Sequence, residues 1–226
     1  MGKRVERPAV REGYDRWSES YDATPNPVVA LDRRVTLRAL DPKAGEVVLD
    51  AGCGTGSHLG QLCAARSRPV GLDFSRGMLR VAKRNAPRAV LAQADLNDPL
   101  PIRGAVFDAV LSSLVSEHLT NLGRFFKESF AALRRGGRFV FSAFHPDPAR
   151  GGVEANFEEN GTEYRLGAEP YTVHDYLNGI SDAGFEDLEW REYGPDDRLI
   201  GEVPWAAKYA GRPLLLLVVA RRERSG

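Results

Sequence analysis

Val47-Val48-Leu49-Asp50 is a short apolar run that ends in the turn Ala51-Gly52-Cys53-Gly54-Thr55-Gly56. Behind it, Ser57–Arg66 carries Leu59, Leu62 and Cys63 on one helical face, so the stretch reads as strand, glycine turn, helix. Glycines let the chain turn tightly and let a ligand approach the main chain. The helix that follows points its free N–H groups toward such a ligand.

The same alternation continues outward. Pro69–Asp73 repeats the strand and Ser75–Asn85 the helix, with Ser75 as N-cap. Arg88–Ala92 reads as a third strand, followed by an irregular stretch, Asp95–Pro101. Val106–Leu111 is a fourth strand, and Asn121–Arg134 a helix carrying Phe125, Phe126 and Phe130. Gly136-Gly137 ends that helix and leads into a fifth strand, Arg138–Phe144. Short apolar runs alternating with helices predict an α/β fold, a parallel sheet covered on both faces. Ligands of such sheets bind at the carboxyl ends of the strands, which selects the loops after Leu49, Leu72, Ala92, Leu111 and Phe144.

The flanks differ. Residues 9–40 read as helical with a break at Pro25–Pro27, and residues 145–171 as a Gly- and Pro-rich loop or lid. Tyr171–Ala183 reads as another helix. Phe185–Glu192 and Leu214–Arg221 read as two strands joined by an irregular connection.

Composition bounds the function. The 226 residues include 31 Lys and Arg against 31 Asp and Glu, a neutral balance that disfavours a nucleic-acid partner. The basic clusters Lys3–Arg7 and Arg221–Arg224 sit at the ends and read as solvated tails. Cys53 and Cys63 are the only cysteines, too few for a disulfide framework or a four-cysteine zinc site, and no metal site is expected. Leu214–Ala220 is the longest aliphatic run, far short of the ~20 residues of a membrane span. No membrane association and a cytoplasmic location follow as expectations.

Asp73 closes the second strand, where a carboxylate can accept hydrogen bonds from both ribose hydroxyls of an adenosine. Gln93-Ala94-Asp95-Leu96 and Ser112-Ser113-Leu114 stand at the next two strand ends. The turn is G-x-G-x-G and not the G-x-G-x-x-G of dinucleotide-binding proteins, which argues against the rival reading, an NAD(P)-dependent oxidoreductase.

These residues resemble the class I S-adenosylmethionine-dependent methyltransferases. Val47–His58 is similar to the first motif of that family, Val70–Leu79 to the second, and Gln93–Leu96 to its adenine-contacting segment. Phe107-Asp108-Ala109-Val110 and Leu133–Phe139 resemble its fourth strand and the turn into its fifth. Tyr14–Asp22 is similar to the N-terminal segment of quinone-biosynthesis methyltransferases, and Val115–Leu119 to a stretch of the ubiquinone O-methyltransferases. The resemblance implies a Rossmann-like seven-stranded, mostly parallel sheet in the order 3-2-1-4-5-7-6. Strand 7 is antiparallel, helices cover both faces, and an N-terminal helical cap precedes the sheet. It implies one domain over residues 1–226: a cap (1–40), a cofactor-binding core (41–145) and a substrate side (146–226). The cofactor implied is S-adenosyl-L-methionine, and the acceptor a small molecule methylated on O or C, with the protein a monomer or homodimer. Tyr21, Asp50, Ala51, Gly52, Cys53, Gly54, Gly56, Asp73, Phe74, Met78, Ala94, Asp95, Leu96 and Ser112 would form the cofactor site. A non-catalytic cofactor-binding protein, or a methyltransferase acting on tRNA or protein, is the alternative.

Methyl transfer needs a base only where the acceptor must lose a proton. His145, His118 and Glu117 stand at strand ends and are the candidates, both histidines being placed to titrate near neutral pH. His58, at the start of the first helix, would meet the cofactor's carboxylate end or solvent. Tyr14, Trp17 and Tyr21 have helical spacing and either pack on the sheet or close over the sulfonium.

Overall fold

A computed structural model describes residues 4–223. Its main sheet takes strands β2 (Val47–Ala51), β3 (Arg68–Asp73), β4 (Val90–Gln93), β5 (Phe107–Ser113), β6 (Leu133–Phe144), β9 (Glu186–Tyr193) and β10 (Leu215–Arg221). Their spatial order is β4-β3-β2-β5-β6-β10-β9. Counted from β2, that is 3-2-1-4-5-7-6, as expected. β10 runs antiparallel to both β6 and β9 while the other neighbours are parallel.

Side chains alternate across a strand, and here the alternation divides the core in two. Leu49, Val110, Phe139, Phe141, Leu216 and Val218 face helices α5 (Leu122–Ala132) and α7 (Val173–Asp182), where Phe125, Phe126 and Ile180 meet them. Val48, Ala109, Leu111, Val140 and Leu217 face the other way, toward α2 (Pro27–Leu40), α3 (Ser57–Ala64) and α4 (Arg76–Asn85). Caps fix the helix starts: Asn26 accepts from Val28 and Val29 with Pro27 at the first turn of α2, and Ser75 accepts from Met78. Thr172 and Asp175 form a reciprocal capping box on α7.

The flanks hold more structure than expected. Residues 145–171 are not an irregular loop. They contain α6 (Pro146–Arg150) and an antiparallel hairpin, β7 (Asn156–Glu159) and β8 (Thr162–Arg165). Asn160 and Gly161 turn the hairpin at φ 49° and 76°, the left-handed pair that two-residue hairpin turns require. β1 (Arg4–Glu6) adds to β8 in parallel, making a separate three-stranded sheet. The connection after β9 likewise contains α8 (Asp197–Glu202) and a 3₁₀ turn, Pro204–Tyr209.

The basic ends are more engaged than a solvated tail would be. Lys3 and Arg224 lie outside the described residues, but Arg7 pairs bidentately with Glu154. The Arg222 guanidinium donates to the carbonyls of Phe130, Ala131 and Leu133, where α5 ends. No helix among the described residues is long and apolar enough to cross a membrane.

Candidate active site

The turn after β2 sets the site. Gly52 and Gly54 adopt φ 86° and 51°, and a β-carbon on Gly52 would come within 2.2 Å of Val115. At Gly52 a side chain is therefore excluded by both conformation and space, and at Gly54 it is disfavoured by conformation alone. Asp73, at the end of β3, accepts from the amides of Gly54 at 2.9 Å and Ser75 at 2.8 Å. Burial raises its carboxyl to about 6. Around this turn lies a cavity of about 120 Å³. Of the expected cofactor residues, Tyr21, Gly52, Gly54, Asp73, Phe74, Met78, Ala94, Asp95 and Leu96 line it.

Five others do not. Ala51, Cys53 and Gly56 shape the turn from behind: Gly56 donates to the Cys53 carbonyl, and burial pushes the Cys53 thiol well above its usual range. Ser112 points to the opposite face of β5, buried and without a partner. Its neighbour Ser113 takes the cavity-facing position, as strand alternation demands. Asp50 is also outside the lining, but it is fully buried with both carboxylate oxygens unpartnered. Desolvation raises it to about 7. A buried carboxylate without a donor fits a cationic ligand group, such as the ammonium of the aminoacyl end of S-adenosyl-L-methionine. The free carboxylate valences of Asp73 beside Phe74 fit its nucleoside. Among the described residues no group of three or more His, Cys, Asp or Glu side chains is placed to hold a metal ion.

Helix α1 (Val10–Trp17) lies across the cavity. Asp15 accepts from Ser75 Oγ and the Gly77 amide, both at 2.7 Å, and Arg11 pairs with Asp95 at 2.8 Å. The Tyr14 hydroxyl meets His118 Nε2 at 3.0 Å, and Tyr14 also rests against Phe74 and Tyr21. His118 is therefore not poised near neutral pH: burial lowers it to about 4, and it lines the cavity as a neutral ring. His145 lines neither this cavity nor the larger chamber beside it. Its Nδ1 accepts from the Asp147 amide as the N-cap of α6, and Nε2 meets Glu192 at 3.0 Å. Both ring nitrogens are thus committed to holding the chain, which removes the expected base.

Glu117 behaves differently. It sits in the 3₁₀ turn Ser116–His118, with Oε2 buried and unpartnered, and burial raises it to about 7. It lines a second chamber of about 710 Å³, which shares Tyr14, Tyr21, Val29, Arg33 and Leu114 with the first. Leu114 takes φ 52° at this boundary, a rare conformation for leucine and a mark of a constrained site. Asp32 and His58 also line the smaller cavity. The sequence signals neither the Asp32 role nor the Leu114 strain, because both depend on contacts between distant segments.

Residues 49–141 match the family described as a methyltransferase domain. Demethylmenaquinone methyltransferase of Clavibacter sepedonicus is 34% identical over 143 residues, 60% of this chain and 58% of that protein. The demethylmenaquinone methyltransferase of Streptomyces avermitilis is 32% identical over 167 residues, 71% of this chain and 69% of its own length. The crystal structure of an S-adenosylmethionine-dependent methyltransferase from Mesorhizobium loti has a TM-score of 0.71 at 27% identity, covering 87% of this chain and all of that one. Relatedness of this extent, on a sheet of this order, sets the oxidoreductase reading aside. The chain belongs to the class I S-adenosylmethionine-dependent methyltransferases, and S-adenosyl-L-methionine is its methyl donor.

Proposed function

We propose that the chain methylates an oxygen or carbon atom of a small molecule held in the larger chamber, and that Glu117 takes the acceptor's proton. The observation that carries this reading is the buried, unpartnered Oε2 of Glu117 in the lining of the larger chamber, two residues after the cavity-lining Val115. A carboxyl raised to about 7 is divided between its two forms near neutral pH, which suits a group that must accept a proton during turnover. A phenol, an enol or an activated carbon is the acceptor such a base serves.

S-adenosyl-L-methionine supplies a methyl group on a sulfonium, a donor that needs no further activation. The protein's task is alignment, worth ~7–11 kcal/mol when two reactants are held in register. Asp73 holds the ribose, Asp95 and Leu96 frame the adenine with Phe74 and Ala94 against it, and the Gly52–Gly56 backbone meets the aminoacyl end. Tyr14 and Tyr21 present aromatic rings where a cation is favoured. Their hydroxyls stay protonated, because burial pushes both phenols upward.

The remaining parts of the reading rest on the sequence. Residues 1–226 act as one domain with a cap, a core and a substrate side, supported by α1 and the hairpin lying against the cavities. The balance of 31 basic and 31 acidic residues supports a protein without a nucleic-acid partner, and a cytoplasmic location and a monomeric or homodimeric state complete the reading. The demethylmenaquinone relatives support an aromatic, quinol-like acceptor.

The test is methyl transfer from labelled S-adenosyl-L-methionine to a panel of quinols, phenols and 1,3-dicarbonyls beside amines and tRNA. Label on an oxygen or carbon product, lost in Glu117→Gln, supports the reading. Label on amines or tRNA alone overturns it.

A further inference from the structure

Asp32, on α2, is buried at 2% exposure and accepts four hydrogen bonds. Thr36 Oγ1 and Ser142 Oγ reach Oδ1 at 2.6 and 2.5 Å, and Ser113 Oγ and His58 Nε2 reach Oδ2 at 2.7 Å each. The cluster thus ties the cap helix to the ends of β5 and β6 and to the first turn of α3. His58 itself is 7% exposed and lines the cofactor cavity, yet its second nitrogen, Nδ1, has no partner. Asp50, another buried group without partners, is among its electrostatic neighbours.

The charge on His58 decides what Nδ1 offers. With Nε2 donating to Asp32, a neutral ring presents a lone pair at Nδ1, whereas a protonated ring presents an N–H. The first would accept from an ammonium and the second donates to a carboxylate. Burial alone would lower His58, but the hydrogen bond and charge of Asp32 hold it above its ordinary value, with Asp50 adding to this and Arg33 opposing it. Burial alone would raise Asp32, and the bonds from His58, Ser113 and Ser142 hold it down as a carboxylate.

We propose that Asp32 is a positioning residue that keeps His58 an imidazolium, so that His58 Nδ1–H takes the carboxylate of the methyl donor's aminoacyl end. Asp50 takes the ammonium of the same zwitterion. The two orphaned groups are thereby explained together, and the cap helix that carries Asp32 becomes part of cofactor recognition. A charge-assisted bond of this kind is expected to change affinity by about tenfold or more, since tenfold corresponds to ~1.4 kcal/mol.

This inference rests on the donor lying in the smaller cavity as proposed above. The experiment compares calorimetric binding of S-adenosylhomocysteine with that of 5′-methylthioadenosine, which keeps the nucleoside and sulfur but lacks the aminoacyl end. In the wild type the first binds more tightly. In Asp32→Asn and His58→Gln that preference falls about tenfold or more, while affinity for 5′-methylthioadenosine stays within twofold. Adding Asp32→Asn to His58→Gln lowers it no further. The preference of the wild type also declines as pH rises past the raised His58 value. A variant that loses both affinities equally, or only melting temperature, reduces Asp32 to a structural tie and overturns the inference. Absence of S-adenosylhomocysteine binding in the wild type overturns the placement of the donor itself.

Discussion

The two cavities share a boundary but are built in opposite ways. The smaller is walled mostly by the ends of adjacent strands, β2, β3 and β5, and by the segment just after β4. Backbone bonds such as Gly54 N–H to Asp73 hold its shape. The larger is assembled from the start of α2, the hairpin of residues 156–165 and the segment around Trp205, Lys208 and Tyr209. Its parts are tied by side-chain pairs, Arg7 with Glu154 and Arg16 with Glu159, on the exposed side of the protein. A site for an unvarying cofactor can be fixed by main-chain geometry. A site for a particular acceptor is written in side chains on connecting segments, which tolerate change.

Substitutions on either side should therefore fail in different ways. The largest effect is expected in the larger chamber: Glu117→Gln lowers kcat by ~10²–10⁴-fold, the range of a lost general base, with S-adenosylhomocysteine affinity unchanged. In the wild type only the deprotonated carboxyl accepts a proton, so the rate rises with pH through about 7 and this inflection vanishes in the variant. A pH-rate profile settles both points. On the cofactor side, Asp73→Ala lowers S-adenosylhomocysteine affinity by ~10²-fold or more, from two bonds to a charged acceptor at ~1.5–3 kcal/mol each, read by calorimetry. Unchanged affinity would remove Asp73 from the site.

Asp50→Asn sharpens the comparison, because a cofactor group should be costly to the empty protein. Burial raises Asp50 to about 7 from 3.8. Between these values the folded chain holds a proton that the unfolded chain has released, so stability falls as pH rises and levels off above 7. The amide variant removes this cost: its melting temperature at pH 7.5 rises by roughly 4 °C or more, the shift ~2 kcal/mol gives in a chain of this size. Its cofactor affinity drops. Equal stability of the two proteins from pH 4 to 8 would contradict the burial of an uncompensated carboxylate.

His145→Ala tests the opposite assignment. With a cap and a Glu192 bond lost, stability falls by ~1–2 kcal/mol, or roughly 2–8 °C in melting temperature, while kcat on the acceptor is unchanged. A large loss of turnover with intact stability would return His145 to the chemistry. The smallest effect is expected from Arg7→Ala, an exposed pair on the hairpin. Acceptor KM rises slightly there, and cofactor affinity does not move.

The same contrast explains what the residues alone disclosed. The strand–helix alternation and the glycine turn were legible because each depends on neighbours in the chain: apolar runs of strand length, three glycines at alternate positions, an acid one strand on. The sheet order followed only from the family these motifs resemble. Ser112 was misplaced by one residue, and strand alternation turns that single step into the wrong face. The hairpin left a readable signal, Asn160-Gly161 between Phe157 and Tyr164, and so did the N-cap at His145 ahead of Pro146. Both were masked by the weak periodicity around them. The Asp32–His58 pair left no local trace, since its members come from separate helices and its other donors from β5 and β6. Glu117 was visible as a candidate, but its burial, which sets its chemistry, arises only from distant segments: Glu169 donates to its carbonyl, and Tyr14, Tyr21 and Tyr176 are its electrostatic neighbours.

The central claim is that the donor occupies the smaller cavity and directs its sulfur at the boundary with the larger one. A crystal structure with S-adenosylhomocysteine bound tests it most directly. The account predicts the ribose hydroxyls on the Asp73 carboxylate and the sulfur facing the opening between Tyr21 and Leu114, toward Glu117. A ligand seated in the larger chamber, or one whose ribose lies away from Asp73, would contradict it.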